Sequence, residues 1–286
     1  MKRVSEYLSL VKFSHSIFAL PFALQSAWLA ARGLPAWDVL FWIVFCAVSA
    51  RTAAMGFNRL VDRAIDARNP RTAERELPAG RLGVNSVRAL VLISSIAFVG
   101  GAVALNPLAG KFALPVLFVL LGYSLVKRFS AAAHLVLGLA LALAPLGAWI
   151  AVRGTLEGDL APVLWLAVSV LTWVAGFDLI YSCQDAEFDR AEGLHSIPAR
   201  FGIAGALRFS AVLHILTAGC LGAFWWSAEL GWIHGIVTLA ACVLLVWEHS
   251  LVKPDDLSRV NMAFFTMNGW VGVGLFLGLV LDLAIL

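Results

Sequence analysis

Long apolar runs broken by short polar segments set the pattern of this chain. Measured against the ~20 residues a bilayer core requires, they predict nine membrane-spanning helices. These fall at about 16–32, 38–58, 86–105, 111–127, 133–152, 161–182, 206–227, 231–250 and 264–284. Pro21, Pro115 and Pro145 fall inside spans, where a kink is tolerated if neighbouring helices satisfy the freed backbone groups. Ahead of the first run, Tyr7, Leu8, Leu10, Val11 and Phe13 are interspersed with Lys2, Arg3, Glu6 and Lys12, the pattern of an interfacial amphipathic helix. The apolar segment that follows is too long for the h-region of a cleavable signal, so the first span reads as a retained anchor.

Two runs end in polar stripes. Asn58, Asp62 and Asp66 recur every fourth residue, which places them on one face of a helix. Asp178, Tyr181, Asp185 and Asp189 follow at steps of three, four and four. On one continuous helix the second stripe would run about 16 Å at 1.5 Å per residue, from pocket to surface. Each stripe leads into a polar segment, 67–85 and 190–204, longer than a minimal turn and placed to act as a lid.

Composition supports the membrane reading. The chain is 61% hydrophobic and 14% charged, against about 45–50% and 25% in soluble domains. Its net charge of +3 gives no indication of a nucleic-acid partner. The placement of basic residues is more telling. With the N-terminus inside, the cytoplasmic segments hold Lys2, Arg3, Lys12, the arginines from Arg59 to Arg88, Lys127, Arg128, Arg190, Arg200, Arg208, Lys253 and Arg259. The opposite face holds Arg32, Lys111 and Arg153, and Arg51 lies within a span. By the positive-inside rule both stripes open on the cytoplasmic face of an inner, multi-pass membrane protein. The spans pack as one unit, so residues 1–286 read as a single domain. Cys46, Cys183, Cys220 and Cys242 stand singly in apolar runs and read as small hydrophobes. The tryptophans lie mostly near span ends, as an interfacial belt would.

One carboxylate at a helix end is ordinarily just solvated. Two facing stripes, some of their groups a turn or two below the surface, are costly without a cation, and oxygen ligands of this kind suit Mg²⁺ shared with substrate phosphates. Lys127, Arg128, Arg71 and Arg75 each serve topology alone; together they supply the cationic side of a diphosphate site. Arg51 lies seven residues before Asn58, nearly on the same face and two turns deeper. It reads either as a structural partner of Asp178 or as a clamp for an anionic substrate group. His195 is either a polar residue of the second lid or a phosphate ligand, and His15 and His134 carry no clear signal.

At these residues the chain resembles the UbiA superfamily of intramembrane prenyltransferases. Asn58, Asp62 and Asp66 match the first aspartate-rich motif of that family, and Asp185 with Asp189 the second, preceded by Asp178 and Tyr181. Arg71-Thr72, Arg75, Pro78 and Gly80 resemble its first lid, and Tyr123 with Lys127-Arg128 its Tyr-x-x-x-Lys-Arg segment. Arg51 has the spacing of an arginine found in members that prenylate aromatic acids. Asn58-Arg59 departs from the Asn-Asp of many members that use 4-hydroxybenzoate, and His195 from a lysine in the second lid. With Lys12 to Phe22, these features look like a subgroup labelled 4-hydroxybenzoate polyprenyltransferase, part of which serves menaquinone synthesis by the futalosine route.

The resemblance implies an all-α bundle of nine transmembrane helices, with a central cavity opening to the cytoplasm. It implies Mg²⁺-dependent transfer of a polyprenyl group from polyprenyl diphosphate to the ring of a hydroxylated aromatic acid. That acid is 4-hydroxybenzoate or 1,4-dihydroxy-6-naphthoate, in ubiquinone or menaquinone biosynthesis. Asn58, Asp62, Asp66, Asp185 and Asp189 would hold the metal. Arg51, Arg71, Arg75, Tyr123, Lys127, Arg128, Asp178, Tyr181 and His195 would serve the substrates. A family member with another acceptor, such as a polyol phosphate or haem, is one alternative, and a cation-coupled transporter is another. Arg51 favours an acidic aromatic acceptor. Carboxylates gathered on one face beside basic lids, rather than at the midplane, favour an enzyme.

Overall fold

The computed structural model describes residues 2–12 and 18–285, with side chains from residue 4 onward. Among these residues the regular structure is helical, apart from one isolated bridge between Lys253 and Asp256. In chain order the helices are α1 (Lys2–Leu10), α2 (Leu20–Ala31), α3 (Trp37–Arg68), α4 (Val84–Leu105), α5 (Pro107–Val126) and α6 (Ala133–Arg153). They continue with α7 (Ala161–Ser182), α8 (Ala186–Ala191), α9 (Ile197–Ser227), α10 (Trp232–Ser250) and α11 (Asn268–Ile285). A 3₁₀ turn, Cys183–Asp185, joins α7 to α8, and a π-helical segment, Met262–Met267, leads into α11.

Eight helical segments among the described residues are long and apolar enough to cross a membrane, rather than the nine expected. The span placed at 16–32 is represented by α2, which has 12 residues; Phe13, His15 and the start of that span lie outside the described residues. Pro21 is not mid-helix but in the first turn of α2, where its missing N–H costs nothing. Pro115 and Pro145 do lie inside α5 and α6, and the Pro145 carbonyl accepts the Ser26 hydroxyl at 2.7 Å.

α3 has 32 residues, about 48 Å at 1.5 Å per residue, well beyond a ~30 Å hydrocarbon core. Its C-terminal turns, past the apolar run that ends near residue 58, carry Asn58, Asp62 and Asp66 on one unbroken helix. The second stripe is not built that way. α7 stops at Ser182, where side chains compete for the carbonyls of its last turn. Ser182 Oγ and Cys183 Sγ both donate to Leu179 O, at 2.9 and 3.3 Å, and Gln184 Nε2 donates to Tyr181 O at 3.1 Å. The backbone tightens through the 3₁₀ turn and restarts as α8, so Asp178 and Asp189 do not share one helical face. The second lid is also shorter than 190–204: Ser196 caps α9 by accepting from Ala199 N, and only Gly202, at φ 75°, interrupts its helical path.

α7 is the buried centre of the bundle, with Leu166, Val170, Val174, Ala175, Leu179 and Ile180 all inaccessible. A helix apolar on every side belongs in such a place. Neighbours approach it over small residues, as membrane helices do. A Cβ on Gly138 of α6 would lie 2.3 Å from the Leu171 carbonyl oxygen, and one on Gly176 of α7 would lie 2.3 Å from the His214 ring on α9. α1 packs outside the bundle: Leu10 and Val11 cover Leu77, Leu82 and Val87 beneath the first lid. Ser9 Oγ donates to Glu76 at 2.5 Å and Arg81 Nε to Glu6 at 2.9 Å, while Val4 and Leu8 remain exposed one turn apart. The amphipathic pattern is therefore used on both sides, one face for the lid and one left for an interface.

The close approach of α6 and α7 gives a stability test. Gly138→Ala should lower the thermal midpoint in detergent through overpacking worth about 1–3 kcal/mol. Gly147→Ala on the same helix, with nothing near the added methyl, should not. Equal midpoints for the two variants would show that the helices do not meet at this distance.

Candidate active site

Two cavities follow one another along α3. The deeper one, about 230 Å³, is bounded by α2 to α6 and lined by small and apolar side chains such as Ala23, Cys46, Ala54, Phe98, Ala113, Val116, Leu141 and Ala148. Arg51 and Tyr123 are its principal polar residues. Arg51 Nη2 donates to the Lys12 carbonyl at 2.8 Å, while its Nε is buried with no partner among the described residues. Asp178 is not its counter-ion. Asp178 Oδ2 lies 2.7 Å from His134 Nδ1, an α6–α7 contact outside both cavities.

The second cavity, about 170 Å³, is polar and lies where the end of α3, the end of α5, the α7–α8 junction and the first lid meet. It gathers the metal-ligand candidates from both motifs, Asn58, Asp62, Asp66, Asp185 and Asp189, with Arg71, Arg75 and Lys127 opposite them. Residues far apart in the chain thus meet as their pattern suggested. Asp62, 2% exposed, accepts from Lys127 Nζ at 2.6 Å and Asn58 Nδ2 at 3.2 Å, with Arg128 Nη2 at 3.5 Å. Arg128 also donates to Val61 O at 2.5 Å. Asp66 Oδ1 accepts from Arg75 Nη1 at 2.7 Å, whereas Asp66 Oδ2 is buried and unpartnered.

Asp185 is held by the first lid. Arg71 donates to both of its oxygens, through Nε at 2.8 Å and through Nη2, and Asn69 Nδ2 adds a bond of 2.9 Å. Arg71 Nη1 reaches the Tyr181 hydroxyl at 3.1 Å, and its guanidinium lies 5.3 Å from that ring's centroid. Burial alone would lower the Arg71 guanidinium, but the hydrogen bond and charge of Asp185, with Tyr181, hold it above its ordinary value. His195 is exposed; its backbone N–H donates to Lys127 O at 2.7 Å, tying the second lid to the end of α5. Arg68 and Glu192 join the two lids through a solvent-exposed bidentate pair with bonds of 2.6 to 3.0 Å. Arg68 holds the Glu192 carboxyl below the usual carboxylate range; exposed pairs of this kind add little stability.

Three polar residues of the pocket, Arg59, Asn69 and Thr72, are not among the site residues expected from the sequence. Arg59 is one step from Asn58, off the face that periodicity marks. Asn69-Pro70 carried a turn signal: Asn69 Oδ1 accepts from Arg71 N at 2.9 Å, turning the chain out of α3. Thr72 Oγ1 then donates to the Asp66 carbonyl at 3.0 Å. Among the described residues no three Asp, Glu, His or Cys side chains stand close enough to hold a metal ion by themselves. Asp62, Asp66 and Asp185 each hold a basic side chain. The donor set is nonetheless all oxygen, and Asp66 Oδ2 is left free, which fits a hard divalent cation.

The model of the UbiA prenyltransferase family matches residues 19–271. The chain is 27% identical over 284 residues to a 4-hydroxybenzoate octaprenyltransferase of Vibrio campbellii, covering 98% of both. It is 31% identical over 266 residues to one of Pseudomonas fluorescens, covering 92% of this chain and 87% of the relative. The fold matches the apo structure of a UbiA homologue from Aeropyrum pernix K1 with a TM-score of 0.85 and 33% identity, over 94% and 98% of the two chains. A UbiA homologue from Archaeoglobus fulgidus, solved with DMAPP and Mg²⁺, shares the fold at a TM-score of 0.77 and 19% identity, over 98% and 100%.

The grip of Asp185 on the first lid predicts a local effect. Asp185→Ala should free Asn69 and Arg71 and raise amide hydrogen exchange across residues 69–75, with exchange in α7 unchanged. Arg68→Ala should change it far less, because its pair is solvated. Unaltered exchange in Asp185→Ala would mean that the lid is held from elsewhere.

Proposed function

The chain belongs to the UbiA prenyltransferase family, and from that premise we propose that it transfers a polyprenyl group from polyprenyl diphosphate to the ring of a hydroxylated aromatic acid. The meeting of both carboxylate motifs with Arg71, Arg75 and Lys127 in one polar pocket, next along α3 to an apolar cavity, carries this reading. Such a pocket suits a diphosphate head, and the adjoining cavity suits the apolar and aromatic parts of the two substrates. The acceptor is 4-hydroxybenzoate or 1,4-dihydroxy-6-naphthoate, in ubiquinone or menaquinone biosynthesis. The 4-hydroxybenzoate octaprenyltransferase relatives support the first.

Asn58, Asp62, Asp66, Asp185 and Asp189 would hold Mg²⁺. When bound, Mg²⁺ supplies charge neutralisation that makes diphosphate a better leaving group. Arg71, Arg75, Lys127 and Arg128 would take the remaining phosphate charge, exchanging their carboxylate partners for it. The allylic carbon–oxygen bond breaks with its electron pair going to diphosphate. The electron-rich ring then forms the new carbon–carbon bond and loses a proton. The apolar walls exclude water from the allylic cation. Arg51, with its free Nε at the cavity edge, would orient the acceptor's carboxylate, with Tyr123 beside it. Asp178 would act at most through His134, Tyr181 by positioning Arg71 and His195 by anchoring the second lid. The protein would sit in the inner membrane with the pocket on the cytoplasmic face, α2 supplying the ninth apolar segment. The whole chain would act as one domain.

Asp62→Ala and Asp185→Ala should each reduce turnover by roughly 100-fold or more, as loss of a group organising transition-state charge does, with membrane insertion intact. Near wild-type turnover by either variant at saturating Mg²⁺ would remove that residue from the catalytic set.

Arg51→Leu should raise the acceptor KM or lower kcat/KM by roughly 10–100-fold, the loss of a charge-assisted contact of about 1.5–3 kcal/mol. Affinity for the prenyl diphosphate should hardly change. Arg71→Ala and Lys127→Ala should show the reverse. Calorimetry in detergent, with each substrate separately, distinguishes the two patterns. An Arg51→Leu protein that loses diphosphate affinity but keeps acceptor affinity would place Arg51 in the phosphate site.

A further inference from the structure

The polar pocket contains a cation that no carboxylate among the described residues holds. Arg71, Arg75 and Lys127 are each engaged, by Asp185, Asp66 and Asp62 respectively. Arg59, on α3 beside Asn58, lines the same pocket at 4% exposure and makes no ion pair among the described residues. Its hydrogen bond is long, 3.4 Å from Nη1 to Asn58 Oδ1, and its Nε is buried without any partner. Neither carboxylate within electrostatic reach, Asp66 or Glu76, forms an ion pair with Arg59 among the described residues, although Asp66 Oδ2 stays unbonded. Asp66 holds Arg75 at 2.7 Å, and Glu76 holds Ser9 at 2.5 Å.

A guanidinium kept in the interior without a counter-ion is costly, and an anion entering the pocket would remove that cost. Arg59 lines the pocket of the aspartates and not the apolar cavity of Arg51, so the anion it faces is the phosphate end of the substrate. The planar fork of arginine matches phosphate oxygens better than an ammonium does. The other three cations are each shared with a carboxylate, whereas Arg59 is paired with none among the described residues.

We propose that Arg59 is a direct diphosphate-binding residue, the preset cation to which the head group of the prenyl donor docks as the paired cations exchange partners. This rests on the prenyl diphosphate reading above. The test is calorimetry of the purified full-length protein in detergent with inorganic pyrophosphate and Mg²⁺. Arg59→Gln should weaken pyrophosphate binding roughly 10–100-fold, and Arg59→Lys should weaken it severalfold. The thermal midpoint of the unliganded Arg59→Gln protein should not fall, because the variant removes an unpaired buried charge.

Wild-type affinity in Arg59→Gln overturns the proposal, as does a lowered midpoint with affinity preserved, which marks a structural arginine. If Arg59→Gln does not fold, Arg59→Lys decides, and unchanged affinity there excludes a guanidinium contact. If the wild-type protein itself fails to bind pyrophosphate with Mg²⁺, the diphosphate reading fails and the Arg59 assignment with it. That outcome is distinct from a wild type that binds and a variant that binds equally well.

Discussion

A carboxylate buried at the end of an apolar helix must be neutralised, and in this protein the requirement organises the site. Asp62 draws Lys127 and Arg128 from the end of α5 onto the end of α3. Asp66 draws in Arg75, and Asp185 draws in Arg71 and Asn69, so one loop is fastened to two helices by opposite ends of a short segment. A buried pair is a poor source of net stability, since desolvation offsets most of the attraction, but removing one partner is expensive. Such pairs therefore fix geometry and remain exchangeable for any ligand that brings both a cation and an anion. The loop's backbone is closed in the same place, with Thr72 on the Asp66 carbonyl and Asn69 capping the turn toward Arg71.

What could be read from the chain alone follows the reach of helical periodicity. Asn58, Asp62 and Asp66 lie on one continuous helix, and a four-residue repeat reports that directly. The second repeat misleads because Ser182, Cys183 and Gln184 divert backbone carbonyls at the end of α7, a competition that spacing does not register. Asp178, which lies before that break, faces α6 and meets His134, a residue that carries no signal of its own. Arg59 was passed over for the complementary reason. It lies about 100° from the stripe on a 3.6-residue helix, yet the pocket wraps round the helix end far enough to include it. Periodicity identifies which residues share a face, whereas partners are set by which helices pack together.

That packing is governed by α7. Gly138 brings the α6 backbone against that of α7, and Gly176 admits the His214 ring of α9 against the α7 backbone. Trp173 at its centre donates to Asn268 at 2.6 Å, and Asn268 in turn donates to Glu248 at 2.9 Å and to the Ala263 and Phe264 carbonyls of the π-helical segment. π-helical segments commonly accompany functional sites, and this one has an evident structural effect. It carries the Phe264 ring, whose centroid lies 4.3 Å from that of Tyr181, and the Arg71 guanidinium lies 5.3 Å from the same tyrosine ring. The lid arginine is thus positioned from both sides, by Asp185 through charge and by Tyr181 through a ring held against the core. A buried amide on α11 thereby bears on a loop that follows α3, through a chain of direct contacts. The rigidity of the polar pocket is accordingly a property of the packed bundle as much as of the motifs that line it.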